Sequence, residues 1–204
     1  MVDTAIIATG AANLASIQSA LTRLGAACRV VLDPGSLGEP EAVVLPGVGS
    51  FGPAVDRLRA NGLDIAIGEL VATDVPVLAV CLGMQLLFDE SAEAPGKRGL
   101  GLFPGGASAW SQGAVTPQMG WNEVRASGDA DYLRDGAAYF ANSYRVTVPP
   151  EGARAAVAEH GERFVAAFET GSVLACQFHP ELSGDWGMEL LGRWLESVKA
   201  RRKT

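Results

Sequence analysis

The sequence predicts an α/β fold with a mostly parallel central sheet, flanking helices and an antiparallel hairpin that extends the sheet. Apolar runs typical of buried strands alternate with helix-like runs through the first half, and this alternation favours parallel strands covered on both faces. Shorter runs separated by turns follow in the second half. The length of 204 residues and the hydrophobic content of 48% suit one compact domain, taken as residues 1–204.

The first half supplies four predicted strands and four predicted helices. The strands are predicted at residues 4–8, 28–32, 42–45 and 77–80, and the helices at residues 14–24, 55–60, 63–73 and 84–90. Asn13 is a candidate N-cap for the first helix, and Gly25 is the candidate residue that ends it.

The second half is expected to form a hairpin followed by a last helix. Residues 164–168 and 173–178 are its predicted strands, with a turn at 169–172, so that His179 lies at the end of the second strand. An amphipathic helix is predicted at 186–199. Its inward-facing residues are expected to be Met188, Leu191, Trp194, Leu195 and Val198.

Cys81 is the most informative residue of the chain. It ends the apolar run at 77–80, and a helix-like run starts directly after it. Strand, cysteine and helix in this order form a nucleophile elbow, which lifts the thiol out of the sheet to a helix N-terminus. The unpaired N–H groups there favour a negatively charged sulfur. The alternative is that Cys81 is a small buried hydrophobic residue.

His179 is the candidate general base for this thiol. It lies in a Gln-Phe-His-Pro-Glu stretch, and Pro180 biases it toward extended geometry. In an extended segment His179 and Glu181 share a face, so the carboxylate can orient the imidazole. Cys81, His179 and Glu181 then form a nucleophile–base–orienter triad. The alternative is a surface or core histidine within a turn.

A glycine-rich loop at residues 46–52 follows the strand that ends at Leu45. A tetrahedral intermediate at Cys81 needs nearby N–H donors, and glycines let backbone amides approach a ligand. The Leu82 N–H, directly after the nucleophile, is the natural second donor. The loop matches neither a dinucleotide-binding glycine motif nor a P-loop. A phosphate-binding loop and a structural turn remain alternatives.

Composition and charge exclude several classes of function. The net charge is −7, and the only dense basic run is the tail at 199–203, which argues against a nucleic-acid partner. The three cysteines have no disulfide or zinc spacing, and Cys28 and Cys176 are expected to be core thiols. No secretory signal or membrane span is predicted, and a reducing cytoplasm is the expected compartment. No metal or cofactor is expected.

The cysteine and histidine motifs together resemble those of class I (triad) glutamine amidotransferases. The residues that carry the resemblance are Cys81-Leu82-Gly83-Met84-Gln85 and His179-Pro180-Glu181. The resemblance covers essentially the whole chain. It implies that family's single-domain fold and the hydrolysis of glutamine to glutamate and ammonia, with Cys81, His179 and Glu181 as the catalytic residues.

Further stretches are similar to one branch of this family, the glutaminase subunits of imidazole glycerol phosphate synthase. They are residues 13–16, 46–52, 119–122 and 139–144. The similarity implies a heterodimer with a (β/α)8-barrel cyclase subunit of histidine biosynthesis. That subunit receives the ammonia through a channel and forms imidazole glycerol phosphate and aminoimidazole carboxamide ribonucleotide. It also implies low glutaminase activity until the cyclase binds its ligand, with the glycine-rich loop as the switch.

The resemblance also implies a role for individual residues. Those around the oxyanion are Gly47, Val48 and Leu82. Those that bind glutamine are Gly49, Gln85, Ser143 and Tyr144. Those toward the cyclase are Asn13, Met119, Trp121, Asn122 and Tyr139. The sequence departs from the commoner family pattern at Ala79, Gln118, Asn142 and Leu182.

Three other functions compete with this one. The first is an amidotransferase that feeds another synthase, such as those for pyridoxal phosphate or anthranilate, and residues 119–122 argue against it. The second is a stand-alone thiol hydrolase for γ-glutamyl compounds, active without a partner. The third is a catalytically silent regulatory subunit, which has no need for an intact triad.

Overall fold

The structure, a computed structural model, describes residues 1–10 and 14–201. In chain order, its elements are β1 Val2–Ile7, α1 Leu14–Arg23, β2 Ala26–Val31, β3 Ala42–Leu45, α2 Phe51–Ala60, α3 Leu63–Ala72, β4 Val77–Val80, α4 Leu82–Leu86, β5 Phe88–Ser91, β6 Phe103–Ala109, β7 Gln118–Ala126, β8 Gly136–Asn142, β9 Tyr144–Val146, β10 Arg154–Glu159, β11 Arg163–Thr170, β12 Val173–Cys176 and α5 Gly184–Arg201.

Within these residues, a nine-stranded sheet forms the centre in the order β2-β1-β3-β4-β12-β11-β10-β7-β8. The five strands from β2 to β12 pair in parallel. The strands from β12 to β8 pair antiparallel, and β11 and β12 form the predicted hairpin. A separate three-stranded sheet contains β5, β6 and β9. The predicted fold class, a mostly parallel sheet with an antiparallel extension, is confirmed.

Apolar side chains cover both faces of the central sheet. Every residue of β3, β4 and β12 is buried, which explains why these strands are uninterrupted apolar runs in the sequence. Trp194 and Leu191 of α5 belong to the core layer on one face. Phe51 and Leu58 of α2 belong to the layer on the other. Helices therefore pack on both faces of the central sheet.

The carboxyl ends of β4 and β12 emerge side by side. Val80 pairs with Cys176 in the parallel register, so Cys81 and Gln177 each follow one of two neighbouring strand ends. In open α/β sheets, ligands bind outside such ends. The topology therefore brings the segments after residues 80 and 176 to the same edge of the sheet.

The helix predicted at 84–90 is wrong in its second half, because α4 ends at Leu86 and β5 begins at Phe88. Residues 99–103 approach this segment and donate backbone hydrogen bonds to the carbonyls of residues 86–89. One of them joins Leu100 N to Leu86 O at 2.8 Å. The Phe88 ring packs edge-on against Phe168 at 5.9 Å. Pairing with a distant part of the chain overrides the local helical spacing.

Helix α2 starts earlier than predicted. It begins at Phe51 rather than at residue 55, so Phe51 and Gly52 belong to a helix and not to the glycine-rich loop. Pro53 is compatible with the first helical turn, where its missing N–H group is not needed. The Phe51 N–H donates to Glu93 Oε2 at 3.0 Å, which satisfies a free helix-terminal donor.

The last helix is slightly longer than predicted, and its inward face is as expected. Four of the five inward residues are buried and Met188 is half-buried against the same core. At the other end of the chain, Gly25 follows α1 with a φ of +88°, a left-handed conformation that suits a residue ending a helix. Within residues 1–10 and 14–201, no helix combines the length and apolar character needed to cross a bilayer.

Candidate active site

Cys81 stands between β4 and α4 in a backbone conformation that few L-residues adopt. Its φ is 54° and its ψ is −110°. Its N–H donates to Cys176 O at 2.6 Å, which ties the turn to β12. Gly83 passes so close to Leu45 O that any Cβ there would overlap it. The backbone therefore has the sharp strand-to-helix turn of an elbow, held on two sides by neighbouring strands.

The segment after β12 brings a histidine and a carboxylate to this turn. His179 Nδ1 lies 2.9 Å from Glu181 Oε1, and the two side chains are 4% and 3% exposed. His179 is extended as predicted, whereas Glu181 lies in a short 3₁₀ turn, Pro180–Leu182. His179 and Cys81 line the same pocket, and the interaction with the Cys81 side chain raises the His179 pKa. The structure thus brings together the three residues of the predicted triad.

These contacts favour the charged form of the His179 ring. Burial lowers its pKa, but hydrogen bonds and charge from Cys81 and Glu181 outweigh burial and raise the pKa from 6.5 to about 10. The pKa is higher in the folded state than in the unfolded state. The resulting contribution to stability is therefore full below about pH 6.5 and is lost as the pH rises through about 10.

We expect the His179 imidazole to stay protonated at pH 8 in the folded chain. Cys81→Ala should lower its pKa more than Glu181→Gln does, because Cys81 is the larger of the two raising contributions. The chain has only two histidines, so an NMR titration of the imidazole signals can be assigned with a His160→Gln variant. A His179 pKa that is the same in the wild type and both variants would contradict the proposed contacts.

The glycine-rich loop engages one of the predicted oxyanion donors. The Leu82 N–H donates to Gly47 O at 3.3 Å. Gly47 packs against the start of α4, where an added Cβ would lie 2.5 Å from Gly83 N. A carbonyl oxygen on the Leu82 N–H competes with an oxyanion for the same donor. Gly49, with a φ of +107°, supplies the conformational freedom for the loop to rearrange.

A pocket of about 260 Å³ opens beside Cys81 and His179. Its lining consists of Val48, Gly49, Cys81, Leu82, Gln85, Glu93, Ala141, Asn142, Ser143, Tyr144 and His179. All four residues predicted to bind glutamine belong to this set. A larger groove of about 610 Å³ runs along β7 and β10, and its lining includes neither Cys81 nor His179. We therefore place the candidate site at the smaller pocket.

Sequence reasoning missed Glu93, which among residues 1–10 and 14–201 is the only carboxylate in the lining of this pocket. It follows β5, and its Oε2 accepts the Phe51 N–H. No local motif marks Glu93, because only the pairing of β5 with β6 carries the chain back to the pocket. The pocket therefore holds an acidic group that the sequence pattern did not indicate.

A comparison with known families identifies the family to which the chain belongs. Residues 5–196 match the family model described as glutamine amidotransferase class-I. The chain belongs to the class I glutamine amidotransferase family. The family predicted from the two motifs is therefore confirmed.

Full-length relatives of this amidotransferase are named imidazole glycerol phosphate synthase subunit HisH. One from Herpetosiphon aurantiacus is 40% identical over 200 residues, which is 97% of this chain and 95% of the relative. One from Methanopyrus kandleri is 42% identical, covering 94% of this chain and 96% of the relative. A chloroplastic Arabidopsis thaliana protein named imidazole glycerol phosphate synthase hisHF is 38% identical over 91% of this chain but only 33% of its own length.

Solved structures agree on the amidotransferase fold. A crystal structure of a glutamine amidotransferase matches with a TM-score of 0.78 at 21% identity, covering 96% of this chain and 98% of the other. The PurLQS structure from Thermotoga maritima contains a chain that matches with a TM-score of 0.75 at 18% identity. The match covers 97% of this chain and 100% of that chain. At these identities the likeness concerns the fold alone.

Two departures from the commoner amidotransferase pattern lie opposite each other. Gln118 pairs with Asn142 across β7 and β8, and both are buried. Within the described residues, neither Gln118 Oε1 nor Asn142 Oδ1 has a hydrogen-bond partner. Because the two residues are cross-strand neighbours, both departures from the family pattern affect the same part of the structure. Of the other two, Ala79 is fully buried in β4, whereas Leu182 is 40% exposed.

Three of the predicted interface residues lie together beside the triad. Met119 and Trp121 of β7 are 67% and 60% exposed, and the Trp121 ring packs edge-on against Tyr139 at 6.2 Å. We call Met119, Trp121, Tyr139 and the nearby exposed Leu182 the aromatic patch. It is attached to the active site through the backbone, because His179 N donates to Tyr139 O at 2.9 Å.

The other two predicted interface residues differ from these. Asn122 alternates to the opposite face of β7 from Trp121, and its Nδ2 donates to Glu159 O at 2.7 Å. Asn122 also lines the groove between β7 and β10 and not the aromatic patch. Asn13 lies outside the described residues.

Proposed function

We propose that this chain is the glutaminase subunit of an imidazole glycerol phosphate synthase and that Cys81, His179 and Glu181 hydrolyse glutamine. The observation that carries the proposal is the connected set at the pocket. Cys81 stands in the elbow, His179 lines the same pocket, and Glu181 Oε1 lies 2.9 Å from the Nδ1 atom of the histidine ring. The names of the full-length relatives support the synthase assignment.

The reaction follows from the arrangement of the triad. The Cys81 sulfur, its proton taken by His179, attacks the carboxamide carbon of glutamine and forms a tetrahedral intermediate. His179 then donates that proton to the leaving nitrogen, the C–N bond of the intermediate breaks, and ammonia departs, leaving a thioester on Cys81. His179 next removes a proton from water, which attacks the thioester and releases glutamate and the thiol. Glu181 orients the ring and stabilises its charge throughout.

The pocket supplies groups for each end of glutamine. Gly49, Gln85, Ser143 and Tyr144 surround the space next to Cys81. Glu93 is suited to the α-ammonium group of an amino acid, because it is the carboxylate in the lining. We assign Glu93 to substrate binding together with the four residues predicted from the sequence.

The glycine-rich loop serves as the switch of the reaction. In the resting arrangement the Leu82 N–H is occupied by Gly47 O. Rotation of the peptide between Gly47 and Val48 would remove this oxygen and turn the Val48 N–H toward the developing oxyanion. Two donors, Val48 N–H and Leu82 N–H, would then stabilise the intermediate. The resting chain should therefore hydrolyse glutamine slowly.

The proposed partner is a (β/α)8-barrel cyclase subunit, which takes the ammonia through a channel and completes a heterodimer. The Arabidopsis thaliana relative supports a close partnership, because its name joins hisH and hisF and this chain matches only a third of it, 33%. The aromatic patch is the proposed docking surface, since exposed aromatic residues are enriched at protein interfaces. The three cysteines are free, which suits the proposed cytoplasmic location.

We expect Trp121→Ala to weaken binding to the cyclase subunit by about 10-fold or more, because buried tryptophans dominate many interfaces. Ile65→Ala is the matched control. Ile65 is 67% exposed on α3, outside the patch. Isothermal titration calorimetry with the purified cyclase measures both. Equal dissociation constants for the two variants would remove the aromatic patch from the proposed interface.

The proposed function is tested by glutamate release from glutamine in three mixtures. They are the chain alone, the chain with the cyclase subunit, and both with the nucleotide substrate of the cyclase. We expect fast release only in the third mixture. Fast release by the chain alone would favour a stand-alone γ-glutamyl hydrolase. No release in any mixture would reject the synthase assignment in favour of another synthase or a silent subunit.

A further inference from the structure

Gln177 contacts both the nucleophile and Gln85, two residues that line the glutamine pocket. It follows β12 directly, and it is fully buried, with an exposed fraction of 0%. Its Nε2 lies 3.7 Å from Cys81 Sγ, and its Oε1 lies 2.9 Å from Gln85 Nε2. Its backbone N–H donates to Ala166 O at 2.8 Å, so the main chain is fixed in the sheet. One side chain thus joins the sulfur to a pocket residue.

Gln85 fixes the orientation of the Gln177 amide. Both hydrogens of Gln85 Nε2 are used, one toward Tyr144 O at 3.0 Å and one toward Gln177 Oε1 at 2.9 Å. Rotating the Gln177 amide by 180° would place two N–H donors against each other and an oxygen against the sulfur. Only the observed orientation satisfies both residues. It leaves the Gln177 N–H group to donate to Cys81 Sγ.

We propose that Gln177 is a positioning residue that stabilises the Cys81 thiolate and aligns Gln85 for glutamine. The backbone group beside the sulfur does not donate a hydrogen bond to it. Ala141 O, at 3.8 Å, is an acceptor and favours the neutral thiol. Gln177 Nε2, in contrast, is a hydrogen-bond donor beside the sulfur. A buried donor of this type is not replaced by water when it is removed.

The hydrogen bond between Gln85 and Gln177 also affects substrate binding. With both Gln85 hydrogens used, its Oε1 is the group left to face the pocket that Gln85 lines. An oxygen there accepts hydrogen bonds, so Gln85 recognises an N–H donor of the substrate rather than its carboxylate. Loss of Gln177 would remove one of the two contacts that orient the Gln85 amide. Gln177 therefore affects both kcat, through the thiolate, and KM, through Gln85.

The test uses Gln177→Met, which keeps the length of the side chain without its donor, and Gln177→Glu, which puts a carboxylate beside the sulfur. Both are made in a Cys28→Ala background, because Cys28 is half-buried whereas Cys176 is fully buried. The pH dependence of Cys81 alkylation by iodoacetamide is measured on the isolated chain. Glutaminase kinetics are measured in the complex with the liganded cyclase. Circular dichroism confirms folding.

We expect kcat to fall by about 10- to 100-fold in both variants, with a higher KM in Gln177→Met. The midpoint of the alkylation profile should move to higher pH, and further in Gln177→Glu. Folded variants with the wild-type alkylation profile and kcat would overturn the inference. If neither variant folds, Gln85→Met takes their place. It removes the group that orients Gln177, and an unmoved alkylation midpoint in this variant would also overturn the inference.

This inference deepens the proposed function and depends on it only for the kinetic measurement. Alkylation reports on Cys81 without turnover, so the two claims fail separately. A wild-type complex without glutaminase activity would reject the proposed function. An alkylation midpoint that shifts in the variants of such a chain would still support the role of Gln177.

Discussion

Cys81→Ala is expected to abolish glutamine-dependent activity, lowering glutamate release by the activated complex by more than about 10⁴-fold. The variant removes the sulfur that forms the covalent intermediate and retains the Cβ. Alanine is preferable to glycine because the φ of 54° at this position is strained for any residue with a Cβ. The turn and its neighbours therefore experience the same backbone constraint as in the wild type.

The control for this variant is synthesis from free ammonia. If Cys81 acts only in releasing ammonia, the complex of Cys81→Ala with an intact cyclase should still form product when ammonium salt is supplied. Cys28→Ala is the matched cysteine variant, since Cys28 lies in β2, far from the pocket lining. It should retain full glutaminase activity. Measurable glutamate release by Cys81→Ala would show that the nucleophile is another residue.

Gly47→Ala is expected to lower the glutaminase activity of the activated complex by about 10²- to 10³-fold, the usual cost of losing an oxyanion donor. An added Cβ would overlap Leu82 Cβ and lie 2.5 Å from Gly83 N. The elbow is held by β3 and β12 and cannot move aside. The loop must therefore shift, which displaces the peptide between Gly47 and Val48 from its working position.

Gly52→Ala is the matched control for this loop variant. Gly52 lies five residues further along, in the first turn of α2, where an added Cβ would meet Ala94 Cβ at an ordinary 3.4 Å. Gly52→Ala is the same glycine-to-alanine substitution, but its added Cβ contacts no residue of the elbow. Initial rates of glutamate release with the liganded cyclase compare the two. Equal rates for Gly47→Ala and Gly52→Ala would exclude close packing of Gly47 as a requirement for catalysis.

The features that the sequence predicts correctly are those that depend on residues close together along the chain. The strand at 77–80, Cys81 and the following residues give the elbow directly, because the turn is local. The proximity of His179 and Glu181 is likewise local, although a 3₁₀ turn rather than an extended segment achieves it. Parallel pairing then brings the ends of β4 and β12 together, which joins the two motifs.

The features that the sequence did not reveal depend on contacts between distant residues. Residues 86–90 look helical locally, yet backbone pairing with residues 99–103 makes part of them a strand. Glu93 follows β5 and lies beside the pocket, where the long-range pairing of β5 with β6 holds this part of the chain. Gln177 reads in the sequence as part of a strand next to His179. Its contacts with Cys81 and Gln85 become visible only when three elements are assembled.

The measurement that tests the central claim most directly is covalent labelling with a glutamine analogue whose carboxamide is replaced by a diazoketone. Peptide mass spectrometry of the labelled complex identifies the modified residue. We predict one adduct, on Cys81, which forms faster when the cyclase carries its ligand and is suppressed by excess glutamine. An adduct on Cys28 or Cys176, or labelling that glutamine does not suppress, would contradict the assignment of Cys81 as the nucleophile of a glutaminase.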